Sequence, residues 1–242
     1  MGKGWKNPIK AANAQKKGLR FSKLAKEIQV AAKLGGADPE MNARLKMAVE
    51  AAKAESCPKD TIERAIKKGA GLLEGEAQLE EVTYEGFGPG QCGVLVECQT
   101  DNRARTNTDI KVAFNKNNGQ MAESGAVSWM FTRVGLIEGF HTDSSVDIEE
   151  EAIEAGAMEV ESLSVEVDGA KGASFYTEPE DLDKVRKALV ERGWTVEVME
   201  LSYKPNNYNE IIEDEKALLL DLLEKLDDNE DSYRVYSTVE LN

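Results

Sequence analysis

The chain is 242 residues long, 41% hydrophobic and 31% charged; it is long enough for two or three compact units and has no apolar run of the roughly 18 residues a membrane span needs. Its formal net charge of -15 is unevenly spread: residues 1 to 71 hold 16 Lys and Arg against 7 Asp and Glu, whereas the remainder holds 14 against 38. Phosphates are drawn to the first third and repelled by the rest, a basic start with no apolar stretch behind it excludes a secretory signal, and three cysteines without a C-x-x-C pair point to a reducing, cytoplasmic setting.

In chain order, Phe21, Leu24, Ala25, Ile28, Ala31 and Ala32 recur at three and four and predict an amphipathic helix that stops at Gly35-Gly36. Asp38-Pro39 then reads as an N-cap with proline at the first helical position, ahead of Met41, Leu45, Ala48 and Ala52 on one stripe. A third helix starts at Pro58, with Ile62, Ala65 and Ile66 inward and Gly69 just past Lys67-Lys68. Three short helices with small and aliphatic inner faces make a bundle, and residues 70 to 80 read as the linker leaving it.

Beyond the linker the period alternates between two and 3.6. Strand Val94 to Cys98, helix Thr106 to Lys116 and strand Val127 to Phe131 form one set. The second set runs strand Val134 to Phe140, helix Asp147 to Ala155, strand Val160 to Val167, strand Ser174 to Thr177, helix Pro179 to Arg192 and strand Thr195 to Met199, the order of the split βαβ. Residues 199 to 203, helix Ile211 to Leu226 and strand Tyr233 to Val239 complete the first set. The expected fold is therefore α+β: an N-terminal three-helix domain (1–79) followed by two ferredoxin-like α/β domains, one (134–199) inserted in the other (80–133 with 200–242).

Catalytic chemistry finds little material. The single histidine, His141, excludes a multi-histidine metal site and reads as a solvated loop residue, while Cys92 and Cys98, beside an apolar strand and without a nearby base, read as buried thiols. No catalytic residue, metal or cofactor is expected. Glu85-Gly86-Phe87-Gly88-Pro89-Gly90 is followed by a strand rather than a helix, so a connection between strands explains it better than a phosphate loop. Trp129 and Phe131 would suit an RNA-stacking platform, but no basic segment accompanies them and core packing is the expectation.

What remains is a concentration of positive charge, with nine of thirty basic residues within the first 33. Lys3, Trp5, Lys6, Lys10, Lys16, Lys17, Arg20, Lys23 and Lys26 are the expected nucleic-acid contacts, with Trp5 able to stack on a base or sugar. Arg103 and Arg105, in Thr100-Asp101-Asn102-Arg103-Ala104-Arg105, are a secondary place where an anion could meet a helix start; capping and an Asp101 ion pair explain that segment equally well.

Several longer motifs resemble the YebC family. They are Ala31-Ala32-Lys33-Leu34-Gly35-Gly36-Ala37-Asp38-Pro39 with Asn42 and Arg44-Leu45, Pro58 through Lys67, Tyr84 through Gly90, Thr100 through Arg103, Phe114-Asn115-Lys116 with Gly119, Glu154-Ala155-Gly156-Ala157, and Val235-Tyr236. The family comprises bacterial proteins described as probable transcriptional regulators and mitochondrial translational activators of cytochrome c oxidase. The resemblance implies a helical domain followed by two α/β domains, and nucleic-acid binding directed to DNA or, for some members, to stalled ribosomes. Where members typically begin Gly-His-Ser-Lys-Trp with a His-Arg-Lys cluster after it, this chain has Gly2-Lys3-Gly4-Trp5-Lys6 and Ile9-Lys10-Ala11-Ala12. Both histidines are replaced, while lysine retains the charge a phosphate contact needs. The expected partner is DNA or, alternatively, ribosomal RNA, with basic proteins against the acidic domains and no membrane.

Overall fold

The computed structural model describes residues 6–73, 78–165, 167 and 169–240, with side chains from residue 17 onward. Three helices come first, α1 (Lys6–Gly35), α2 (Ala43–Ala54) and α3 (Lys59–Gly69). There follow β1 (Glu80–Phe87), β2 (Gly93–Thr100), α4 (Arg103–Lys116), β3 (Gln120–Met121), β4 (Phe131–His141), α5 (Ile148–Ala155), β5 (Glu159–Leu163), β6 (Lys171–Thr177), α6 (Leu182–Glu191), β7 (Thr195–Pro205), α7 (Glu213–Asp227) and β8 (Ser232–Ser237). None of the helices among the described residues is long and apolar enough to cross a membrane.

The apolar period that begins at Phe21 marks only the packed part of α1. Its core members are Phe21, Leu24, Ala25, Ile28, Ala31 and Ala32, closed by Leu45, Val49, Ala52, Ile62 and Ala65 from the other two helices. Upstream, Pro8 falls in the first turn of α1, where its missing N–H breaks no intrahelical bond. Gly69 brings α3 against α1 so closely that a Cβ there would lie 2.2 Å from the Gln29 carbonyl oxygen.

The second helix does not start where the Asp-Pro signal placed it. Asp38 closes a turn of its own, its carboxylate accepting from Glu40 N at 3.0 Å and its carbonyl from Met41 N at 3.1 Å. Asn42 is the N-cap instead, accepting from Leu45 N at 3.0 Å while its amide donates to Ala31 O at 2.8 Å and Gly36 O at 2.9 Å. One buried side chain thus caps α2 and satisfies carbonyls at the end of α1.

The chain divides into two compact units, residues 131–206 and the segments on either side of them, so one unit is inserted in the other at 131 and 206 rather than at 134 and 199. The inserted unit has the split βαβ order, β5-β6-β4-β7, with every pairing antiparallel. One face of its sheet packs Ile137, Ala173 and Phe175 against Ala152, Val185, Leu189 and Trp194. β4 pairs with β7 from Phe131 opposite Pro205 to Phe140 opposite Thr195, so residues 199–203 extend this sheet instead of joining the other one.

The outer unit combines the three helices with a sheet of order β3-β1-β2-β8, whose core sets Val94, Val96 and Cys98 against Ile110, Phe114, Leu219, Leu222 and Leu226. Its strands succeed one another as β-β-α-β and then α-β, which differs from the ferredoxin-like order expected for it. β1, hidden in the sequence by its neighbouring glycines, takes the place foreseen for residues 127–131. That segment is no strand, because the Glu85 carboxylate captures its backbone: Oε1 accepts from Gly125 N at 2.7 Å, and Oε2 from Val127 N at 2.7 Å and Ser128 N at 2.8 Å.

Candidate nucleic-acid interface

α1 runs 15 residues, Lys6 to Arg20, about 22 Å at the ordinary rise per residue, ahead of Phe21, the first of its described side chains in the helical core. That stretch carries Lys6, Lys10, Lys16, Lys17 and Arg20 and no acid; the first acid of the chain is Glu27. Lys6 with Lys10 and Lys16 with Arg20 are like charges at i,i+4, a spacing at which they repel, so an anion laid along the helix relieves the repulsion. Lys3 and Trp5 lie outside the described residues, as do the side chains of Lys6, Lys10 and Lys16. Lys17 is exposed, its ammonium 5.3 Å from the Phe21 ring centroid, and Arg20 is exposed with Glu55 3.5 Å away.

The structure separates Lys23 and Lys26 from this group. Lys23 Nζ donates to Asp227, 2.7 Å from its carboxylate, and Lys26 Nζ reaches Asp231 Oδ1 at 2.5 Å and Glu230 O at 2.8 Å. Both are mostly buried and tie α1 to the end of α7 and the approach to β8. They hold the helical domain on its own sheet, which sets them apart from the exposed Lys17 and Arg20. Arg105 is committed in the same way, its guanidinium 2.8 Å from Asp231 and 3.2 Å from Asp101. Arg103 is exposed beside Glu80 at 3.7 Å, and α4 is capped by Asn102, which accepts from Arg105 N at 3.1 Å.

Asp231 is the centre of this contact. Its side chain is 1% exposed, and besides Lys26 and Arg105 it accepts from Thr106 Oγ1 at 2.7 Å and Thr100 Oγ1 at 3.3 Å. Burial alone would raise the carboxyl, but the hydrogen bonds from Lys26, Arg105 and Thr106 hold it below the usual carboxylate range. Beside it Glu27 accepts from Arg44 at 2.9 and 3.2 Å and from Gln99 at 3.3 Å, and Lys33 Nζ donates to Leu79 O at 3.0 Å. No local pattern announces this junction, because Lys23 and Lys26 lie some 200 residues along the chain from their acidic partners.

Further positive charge lies on α3, where Lys59 and Lys67 are exposed, Lys59 with Glu63 3.5 Å away. Elsewhere His141 ends β4, its ring 5.7 Å from that of Trp194 and its Nδ1 3.1 Å from Asp143 N. Burial pushes the Cys92 thiol up to about 11 and the Cys98 thiol up to about 12, so both stay protonated and unreactive at neutral pH.

Comparison with known proteins gives two adjoining matches. Residues 5–72 match the model described as the TACO1/YebC protein N-terminal domain, and residues 79–239 the model described as the TACO1/YebC second and third domain. A probable transcriptional regulatory protein of Bdellovibrio bacteriovorus is 54% identical, covering 99% of this chain and all of its own length. One of Pseudomonas syringae pv. tomato is 46% identical over 98% of both chains. The crystal structure of a conserved hypothetical protein from Aquifex aeolicus superposes with a TM-score of 0.79 at 40% identity, covering 92% of this chain and 90% of that one.

Proposed function

Because the chain belongs to the TACO1/YebC family, we propose that it is a regulator of gene expression that acts by binding nucleic acid through the basic start of α1, with duplex DNA as its target. The observation that carries this reading is the run of five basic residues with no acid in the sequence from Lys6 to Arg20, at the start of a helix whose described core contacts begin at Phe21. Relatives named probable transcriptional regulatory proteins support DNA over other polyanions. Regulation is by binding, in the cytoplasm, and no catalytic step is assigned to the buried thiols or to His141.

One observation favours a second target, the ribosome. The 38 acids beyond residue 71 repel a duplex brought close to them, whereas a particle of RNA and basic proteins can accept both signs of charge at once. Full-length protein titrated into duplex DNA and co-sedimented with ribosomes at matched salt, beside the K16E/K17E variant, distinguishes the two. Salt-sensitive duplex binding that tolerates sequence changes and weakens in the variant is expected for the DNA target. Ribosome binding without duplex binding would replace it with the second reading, and binding to neither would overturn both.

A further inference from the structure

Two lysines of α1 enter the junction with the sheet, and they are held differently. Lys26 meets Asp231, whose enclosed carboxylate also serves Arg105 and Thr106. Lys23 meets Asp227, whose side chain is 64% exposed, so the carboxylate that neutralises it stands in water. Lys23 Nζ lies 2.7 Å from Asp227 Oδ1 and donates as well to the Asp227 carbonyl, at the last residue of α7. A helix end leaves its final carbonyls without intrahelical donors, so the bond to the carbonyl accounts for what Lys23 does for the fold. The carboxylate is not accounted for in this way. An acid at a helix C-terminus faces the negative end of the helix dipole, and a neutral side chain there would leave the carbonyl contact in place.

Along α1, Arg20, Lys23 and Glu27 fall at i, i+3 and i+7, one stripe of the helix. Arg20 is exposed, Lys23 is the next cation on the stripe, and Glu27, paired with Arg44 at 2.9 Å, ends it. An anion laid along the basic start therefore reaches Lys23 after Arg20. There it meets a carboxylate already in place, accepting the ammonium N–H that a phosphate would accept. A carboxylate so open to solvent adds little to stability. Its effect on a polyanion is larger, because it takes one cation out of the track and sets a fixed negative charge beside it.

We propose that Asp227 is a built-in competitor for phosphate: it occupies Lys23, the next cation on the stripe beyond Arg20, and so limits how tightly the chain holds a polyanion. The inference rests on the nucleic-acid reading above and makes the length of the phosphate track depend on one exposed carboxylate. An ammonium carries three N–H groups, so Lys23 relieved of that carboxylate keeps its carbonyl bond and still has donors for a phosphate.

The test measures full-length protein against a fluorescein-labelled DNA duplex of about 20 base pairs by anisotropy, from about 50 to 200 mM salt. Asp227→Asn is expected to tighten binding about fivefold and to steepen the salt slope by about one unit. Asp228→Asn removes an equal charge one residue on, which pairs with Lys225 rather than Lys23, and should leave the slope unchanged. Adding Lys23→Gln to Asp227→Asn replaces the ion pair by a neutral pair and should return slope and affinity to the parent's. Both single Asn variants should keep the parent's melting temperature. If Asp227→Asn leaves binding unchanged, or tightens it no more than Asp228→Asn does and without a steeper slope, the competitor role is overturned while the nucleic-acid reading stands. A lower melting temperature with unchanged binding would assign Asp227 to holding the helical domain alone, which also overturns it. If the parent binds neither duplex DNA nor ribosomes, the nucleic-acid reading itself falls and takes this inference with it.

Discussion

Asp231 sits ionised in the interior only because donors surround it, and removing its charge leaves Lys26 and Arg105 facing each other without an anion between them. Asp231→Asn should cost about 3 kcal/mol, as for other broken buried pairs, and chemical denaturation checks it. Because its folded-state carboxyl is depressed, Asp231 contributes stability at neutral pH that is lost as pH falls from about 4 through its lower folded value. The parent's melting temperature should drop over that acid window more steeply than that of the Asn variant. Glu85 has the same sign of dependence, and Glu85→Gln, which weakens three backbone hydrogen bonds, should destabilise the protein by about 1–3 kcal/mol. At this scale the sequence was silent about the functionally important distinction: Lys17 and Lys23 look alike in it, and only the distant Asp227 separates an exposed cation from one held in a junction.

Elements show where a local signal is enough and where it is overruled. The starts of α3 and α5 were legible because Pro58 and Asp147 act on the backbone next to them; Asp147 accepts from Glu149 N at 2.9 Å. Asp38-Pro39 carries an equally good local signal and loses to Asn42, whose amide reaches carbonyls on a different helix. Asn42→Ala should therefore cost about 2 kcal/mol or more, and Asp38→Ala under about 1 kcal/mol, in parallel urea denaturations. The alternation Val127, Trp129, Phe131 gave a strand by period, yet a strand needs free N–H groups, and Glu85 had taken those of Val127 and Ser128. Residues 80–87 were missed for the opposite reason, since Gly86 and Gly88 dilute the pattern that Val82 and Tyr84 begin. Gly69 was read as a helix stop and is also a crossing point. Gly69→Ala should cost about 1–3 kcal/mol through collision with the Gln29 carbonyl, seen as earlier melting.

At the scale of the molecule, the division of charge that composition revealed proves to be a division within α1 as well. Its second half is neutralised by Glu27, Asp227 and Asp231, which hold the helical domain on the sheet, and its first half has no acid of its own. The α+β class, the three helices and the insertion of one unit in another were legible because each changes the period or the charge over tens of residues. The strand order of the outer unit was not, because it is set by pairings between residues more than a hundred positions apart, such as Val96 with Val235.

If the acid-free start of α1 contacts phosphates, binding must weaken with salt in proportion to the lysines engaged. Affinity of full-length protein for a nucleic acid, measured by anisotropy from about 50 to 200 mM salt, gives a line whose slope counts the phosphates neutralised. Replacing Lys16 and Lys17 by Gln should flatten that slope by about two units with the melting temperature unchanged. An identical slope and affinity in the variant would rule out phosphate contacts by these two lysines and place the contact elsewhere on the protein.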